Sequence, residues 1–222
     1  MFFRFNFKRA ARLLFLVIVL DLACFSSTVL HNNKSELIGQ QAQNTADSLQ
    51  IAQSPQGLMK YLGKFKVTFY WIVEESEYHG PKNTPLYLED GKILGYFSSA
   101  FVSDLKKEAC AELKGGKHIS YLKRVNKVRV VREFLGINGY TISPLKSIAV
   151  DPDIIPLGSK LYIPEFTKLK DYKHNGVVYA HDIGSMINGH SIDIFVGYKA
   201  HTKLLTNVGI ESSNFIDVYL LE

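Results

Sequence analysis

From residue 64 onward apolar and polar positions change places on a short period. Lys64-Phe65-Lys66-Val67-Thr68-Phe69-Tyr70-Trp71-Ile72-Val73 alternates and is rich in β-branched and aromatic residues, the pattern of a strand with one buried face. Asp90-Gly91 sits between Leu86-Tyr87-Leu88 and Ile93-Leu94-Gly95-Tyr96, which predicts a hairpin. Further strands are predicted near 127–135, 146–150, 159–163, 176–180, 191–196 and 214–221, with Gly or Pro in the turns between them. Short helices are predicted over 98–113, closed by Gly115-Gly116, and over 198–206, closed by Gly209. Many short strands with closely spaced turn residues indicate a β-barrel or sandwich and not a parallel α/β sheet.

The N-terminus has a different texture. Arg4, Lys8, Arg9 and Arg12 precede eight apolar residues, Leu13 to Leu20, before Asp21 interrupts them. That is the layout of a signal peptide, and the run is shorter than the roughly 20 residues a spanning helix needs. Leu22-Ala23-Cys24-Phe25 resumes the apolar stretch, so a retained membrane anchor stays open, as does lipidation at Cys24. Under each of these readings residues 1–30 export the rest of the chain. Residues 31–60, rich in Asn, Gln, Ser and Ala, predict a polar linker, with a weak helix over 40–53 as the alternative.

Charge sharpens this division. The net charge of +5 suits a nucleic-acid partner, but residues 1–30 carry four basic residues against Asp21 alone. The remainder carries only +2. Lys123, Arg124, Lys127, Arg129 and Arg132 alternate with Val125, Val128 and Val130, as on the wet side of a strand, so no nucleic-acid face is expected. With Cys24 and Cys110 as the only cysteines, removal of the leader leaves one thiol and no internal disulfide. Stability must come from core packing.

The chemistry-bearing residues are three aspartates. Asp151 ends the apolar run Ser147-Ile148-Ala149-Val150, and Asp182 follows Val177-Val178-Tyr179-Ala180-His181. Asp193 lies inside Ile192-Asp193-Ile194-Phe195-Val196. Ile192, Ile194 and Val196 share one face of that strand, and Asp193 shares the other with Phe195. A carboxylate in so apolar a strand is costly unless paired or protonated, and burial raises its pKa toward the range a general acid needs. An edge strand with Asp193 in water fits the periodicity equally well. Asp182 before Gly184 and Asp151 before Pro152 also suit ordinary turns.

Together, Ser147-Ile148-Ala149-Val150-Asp151-Pro152, Ile155-Pro156-Leu157-Gly158-Ser159, Ala180-His181-Asp182-Ile183-Gly184 and Gly189-His190-Ser191-Ile192-Asp193-Ile194-Phe195 resemble the three-aspartate (3D) domain, a relative of the catalytic domain of membrane-bound lytic transglycosylase A. The resemblance is specific over about 140–222 and weaker over 61–135. There Glu108-Ala109-Cys110-Ala111-Glu112-Leu113-Lys114-Gly115-Gly116-Lys117 departs from the family's segment at Ala109, Ala111, Gly115 and Lys117. The resemblance implies an all-β fold over 61–222, a six-stranded double-psi β-barrel with a small N-terminal β/α extension. It implies a cofactor-free lytic transglycosylase acting on peptidoglycan glycan strands. Asp193 would be the acid/base, Asp182 would hold it by hydrogen bonding and like charge, and Asp151 would complete the network.

Two other readings are consistent with the residues. His174, His181, Asp182, His190 and Asp193 are of metal-ligand type, but adjacent His181 and Asp182 point to opposite faces of a strand and no spacing matches a zinc pattern. A non-catalytic wall-binding barrel is the second. Tyr70, Trp71, Tyr78, Tyr87 and Tyr96 are candidates for stacking on sugar rings in either of the glycan readings.

Overall fold

The alternation at Lys64–Val73 belongs to one long strand. In the computed structural model, which describes residues 51–54 and 57–222, that strand is β2 (Gly57–Glu74), and a short β1 (Ile51–Ser54) pairs with it. Both begin inside the stretch read as a polar linker. The leader of residues 1–30 and Cys24 lie outside the described residues, as does the helix alternative over 40–53 up to residue 50, while 51–53 belong to β1. Among the described residues no helix is long and apolar enough to cross a membrane.

The fold is mainly β. The predicted hairpin is β3 (Thr84–Tyr87) with β4 (Ile93–Phe97). Helix α1 (Ser99–Glu108) starts where Ser98 Oγ accepts from Phe101 N–H (3.3 Å), a standard N-cap. It does not run to Gly115-Gly116. Ala109 takes a left-handed conformation (φ 62°) and turns the chain into a strand, β5 (Cys110–Glu112). That conformation costs an L-residue about 1–2 kcal/mol. It is offset by pairing of β5 with β2 on one side and with β6 (His118–Leu122) on the other, which buries Ala111 completely. Gly115-Gly116 is thus a hairpin turn and not a helix end. β7 (Lys127–Val131) completes this lobe.

Six strands form the second part: β2, β8 (Ser147–Val150), β9 (Lys160–Tyr162), β10 (Val177–Asp182), β11 (Ser191–Tyr198) and β12 (Phe215–Leu221). Helix α2 (Thr202–Asn207), entered through a 3-10 turn at Lys199–His201, connects β11 to β12. Pairing runs β2–β12–β9–β10–β8–β11, and β11 pairs again with β2, in parallel. Alternate residues of these strands point to a common core: Phe65 and Val67, Ile148 and Val150, Val178 and Ala180, Ile192 and Ile194, Ile216 and Val218 are all buried. The opposite phase of β2 and β11 therefore faces outward, toward α1 and β5. There Phe195, Ile72, Cys110 and Phe134 make a second, smaller apolar contact.

Candidate active site

Strand register assembles the acids. Asp182 on β10 and Asp193 on β11 are both paired with the same residue, Ala149 on β8, which lies between them. Two strand spacings separate the aspartates, roughly 10 Å between Cα atoms. The small side chain of Ala149 leaves the space above it open. On the far side of β11, Thr68 of β2 is opposite Asp193 and Tyr70 is opposite Phe195. Asp193, Thr68, Tyr70 and Ala149 thus share the outward face, and Asp193, Tyr70, Ala149 and Asp182 line a groove of about 620 Å³. Its other wall comes from α1 and the β6–β7 turn, including Lys106, Lys107, Glu108, Tyr121 and Lys123. Ile183, Gly184, Ser185 and the exposed Met186 form the lip.

Asp193 is half-buried and faces this groove, not an open edge. Burial, together with the charge of Asp182, pushes its carboxyl up to about 6, although Thr68 Oγ1 donates a hydrogen bond to Oδ1 (2.8 Å) that favours the ionised form. Asp182 acts on Asp193 through charge. The hydrogen bond expected from Asp182 is supplied by Thr68 instead. Asp182 is itself raised by burial, and it accepts hydrogen bonds from Ile183 N–H, Ile137 N–H and Tyr70 O–H (Tyr70 Oη–Oδ2 3.3 Å). Tyr70 packs on Phe195, which holds the phenol in place.

A third acid lines the groove. Glu108, the last residue of α1, accepts from Trp71 N–H (3.3 Å), and burial pushes its carboxyl up to about 7, with a further contribution from Asp193. In the sequence Glu108 marks only the start of a segment that departs from the family pattern. Its position against Trp71 of β2, 37 residues earlier, could not be read from spacing. Thr68 carried no signal beyond its place in an alternating strand.

Asp151 stands apart. It is not among the groove residues. Its Oδ2 accepts from Gly189 N–H (2.6 Å) and its Oδ1 from Asp153 N–H (3.0 Å), and these bonds hold its pKa below the usual carboxylate value. It ties the turn after β8 to the turn that feeds β11.

The end of β10 is fixed from three sides. His181 stacks between Tyr140 (4.9 Å) and Tyr179 (5.2 Å), and its Nδ1 meets the buried Ser147 Oγ (3.0 Å). The loop before Tyr140 lies so close that a Cβ on Gly136 would stand 2.2 Å from His181 O and 3.3 Å from Asp182 Cβ. Gly136→Ala is therefore expected to push this loop off β10 and withdraw Ile137 N–H from Asp182. The expected cost is about 1–3 kcal/mol of stability, read as a lowered thermal midpoint.

The histidines do not gather around the aspartates. His174 is buried, with its ring nitrogens at Leu145 O (2.9 Å) and Gly176 N–H (3.0 Å), and His190 packs on Phe65. Among the described residues no group of three His, Cys, Asp or Glu side chains is placed to hold a metal ion. Of the five aromatic candidates only Tyr70 lines the groove. Trp71 lies under Lys199 (5.0 Å), Tyr78 packs on Phe101, and Tyr87 and Tyr96 sit exposed on the β3–β4 hairpin. Cys110 is buried, its Sγ donates to Trp71 O (3.4 Å), and burial pushes its thiol up.

Residues 146–221, which hold all three aspartates of the sequence motif, match the family model of the 3D domain. This stretch of the chain is a 3D domain. Two curated relatives from Bacillus subtilis (strain 168) share the region. The cell wall-binding protein YocH is 38% identical over 73 residues, 29% of this chain and 22% of that protein. The putative cell wall shaping protein YabE is 38% identical over 65 residues, 29% of this chain and 14% of that protein. The matches thus span under a quarter of either relative. The fold of the chain is similar to that of Escherichia coli MltA with bound chitohexaose (TM-score 0.52, 14% identity, 74% of this chain and 75% of that one). It is also similar to a membrane-bound lytic murein transglycosylase from Agrobacterium tumefaciens (TM-score 0.50, 14% identity, 75% and 76%). Both likenesses cover more of the chain than the 76 residues of the matched domain.

Proposed function

We propose that this protein is an envelope enzyme that cleaves the β-1,4 bond between N-acetylmuramic acid and N-acetylglucosamine in peptidoglycan and forms a 1,6-anhydro ring. The observation that carries this reading is Asp193, a carboxyl held near neutral pH in an open groove beside two further acids. Asp193 as the acid protonates the leaving glycosidic oxygen. As carboxylate it takes the proton of the C6 hydroxyl, whose oxygen bonds to C1, so one group serves both steps, unlike a two-carboxylate hydrolase. Asp182, held by two backbone N–H groups and Tyr70, supplies fixed negative charge to the oxocarbenium-like centre. Glu108, protonated below about pH 7, donates a hydrogen bond to a sugar oxygen. Asp151 positions the Gly189 turn and touches no substrate.

The circle of pairings through β2, β12, β9, β10, β8 and β11, with two parallel pairs among six, supports reading these strands as the double-psi β-barrel. Export through residues 1–30, with cleavage or anchoring, fits this location. The test is mass spectrometry of purified peptidoglycan after incubation with the protein, with 1,6-anhydro muropeptides as the expected product. The name of YocH supports a second reading, a wall-binding module without chemistry. Retention on peptidoglycan with no soluble product decides for it.

Because Asp193 must begin protonated, activity is expected to fall as pH rises through about 6. Thr68→Val removes a bond that favours the carboxylate. The alkaline limb of kcat/KM is then expected to move up by roughly half to one pH unit. An unmoved limb would show that another group titrates.

A further inference from the structure

We propose that Lys106 and Lys123 form an anion-recognition wall of the groove, by which it selects glycan strands with pendant carboxylates over neutral glycan. The inference rests on the glycan reading of the same groove. Both lysines line it, from the last turns of α1 and from the β6–β7 turn, across from the aspartates. They are held near each other by Tyr121, over whose ring Lys106 Nζ stands at 5.8 Å. The phenol donates to Asn126 Oδ1 (2.9 Å), within the turn that carries Lys123.

What separates these two from their neighbours is that their charge is unused. Lys107 in the same groove is paired with Asp104 (2.9 Å), and Arg129 nearby is paired with Glu89 (2.6 Å). Among the described residues neither Lys106 nor Lys123 has an acidic partner. Nor do they serve the acids of the floor, since the charges acting on Asp182 and Asp193 include no lysine. The groove is therefore bipolar, acidic along the β-strands and at Glu108, and basic at Lys106 of α1 and Lys123 of the β6–β7 turn. A ligand that fills it must be uncharged and hydroxyl-rich at the floor, where Asp182 repels anions, and anionic at the wall. A polysaccharide whose side groups end in carboxylates has that arrangement. A neutral oligosaccharide satisfies only half of it.

The experiment measures equilibrium binding at low and high salt to three ligands: soluble peptidoglycan glycan strands, the same strands with their carboxylates amidated, and chitohexaose. Wild type is expected to prefer the native strands by about tenfold over the amidated ones, with the preference lost at high salt, where exposed charges are screened. Lys106→Ala/Lys123→Ala is expected to lose the preference, while Lys107→Ala and Lys106→Arg/Lys123→Arg keep it. Equal binding of wild type to native and amidated strands overturns the proposal and leaves the glycan reading intact. So does a preference that survives in the double alanine variant. Failure to bind any of the three overturns the glycan reading itself, and this inference with it.

Discussion

Asp193→Asn is expected to lower the release of anhydro muropeptides by about three orders of magnitude, while binding to glycan strands is kept within a few-fold. General acid–base catalysis by one group contributes about 10²–10⁴ in rate, and in the proposed mechanism one carboxyl acts twice, first as acid and then as base. The amide keeps an oxygen at the position of Oδ1, so the bond from Thr68 Oγ1 survives and the groove keeps its shape. The comparison with Asp151→Asn makes the assignment specific. Asp151 is bonded to Gly189 and Asp153 outside the groove, so its loss acts on the turn before β11 and is expected to show first in stability. An Asp193→Asn variant that releases as much product as wild type would falsify the assignment.

The second large effect is on stability, and it has the opposite sign. In the fold Asp193 titrates at about 6 and Glu108 at about 7, against ordinary values of 3.8 and 4.5. Between the unfolded and folded values the folded chain keeps protons that the unfolded chain has released. Stability therefore falls as pH rises through this window, from full below about pH 4 to its low plateau above about pH 7. Each group costs the fold on the order of 1–3 kcal/mol at pH 8. Asp193→Asn and Glu108→Gln have no charge to bury. At pH 8 each is expected to melt several degrees above wild type, and at pH 4 the advantage is expected to vanish. Thermal unfolding across that range reads both. A gain in stability joined to a loss of product is the signature of a group kept for chemistry at the expense of the fold. An advantage independent of pH points to packing instead.

Much of this site is legible before folding because a period of two is a strong signal in a strand. Ile192, Ile194 and Val196 declare the core face of β11, and Asp193 is left facing out with Phe195, as observed. The segments from Ser147 to Phe195 are also legible as a 3D domain, since their turns carry the family's glycines and acids at close spacing. What the chain does not display is register between distant strands. That Asp182 and Asp193 meet across Ala149 depends on pairings over 33 and 44 residues, and that Thr68 is opposite Asp193 depends on one over 125. The helix predicted over 98–113 stops at Glu108 because β2 and β6 capture Cys110–Glu112, a tertiary effect that overrides local propensity. The same capture turns Glu108 toward the groove, where no local pattern placed it.

The parallel pairing of β2 with β11 also sets when the site can exist. Thr68 leaves the ribosome, and any export channel, 125 residues ahead of its partner Asp193. Until β11 arrives, β2 has an unfilled edge and Asp182 has no second aspartate beside it. Such contacts form late and slowly, because a long loop must close before they return any free energy. On the proposed mechanism the chain is thus built inert. A nascent chain halted after residue 182 holds Glu108, Tyr70 and Asp182 but not Asp193, and the groove is complete only when β11, from the last 40 residues, has folded against β2.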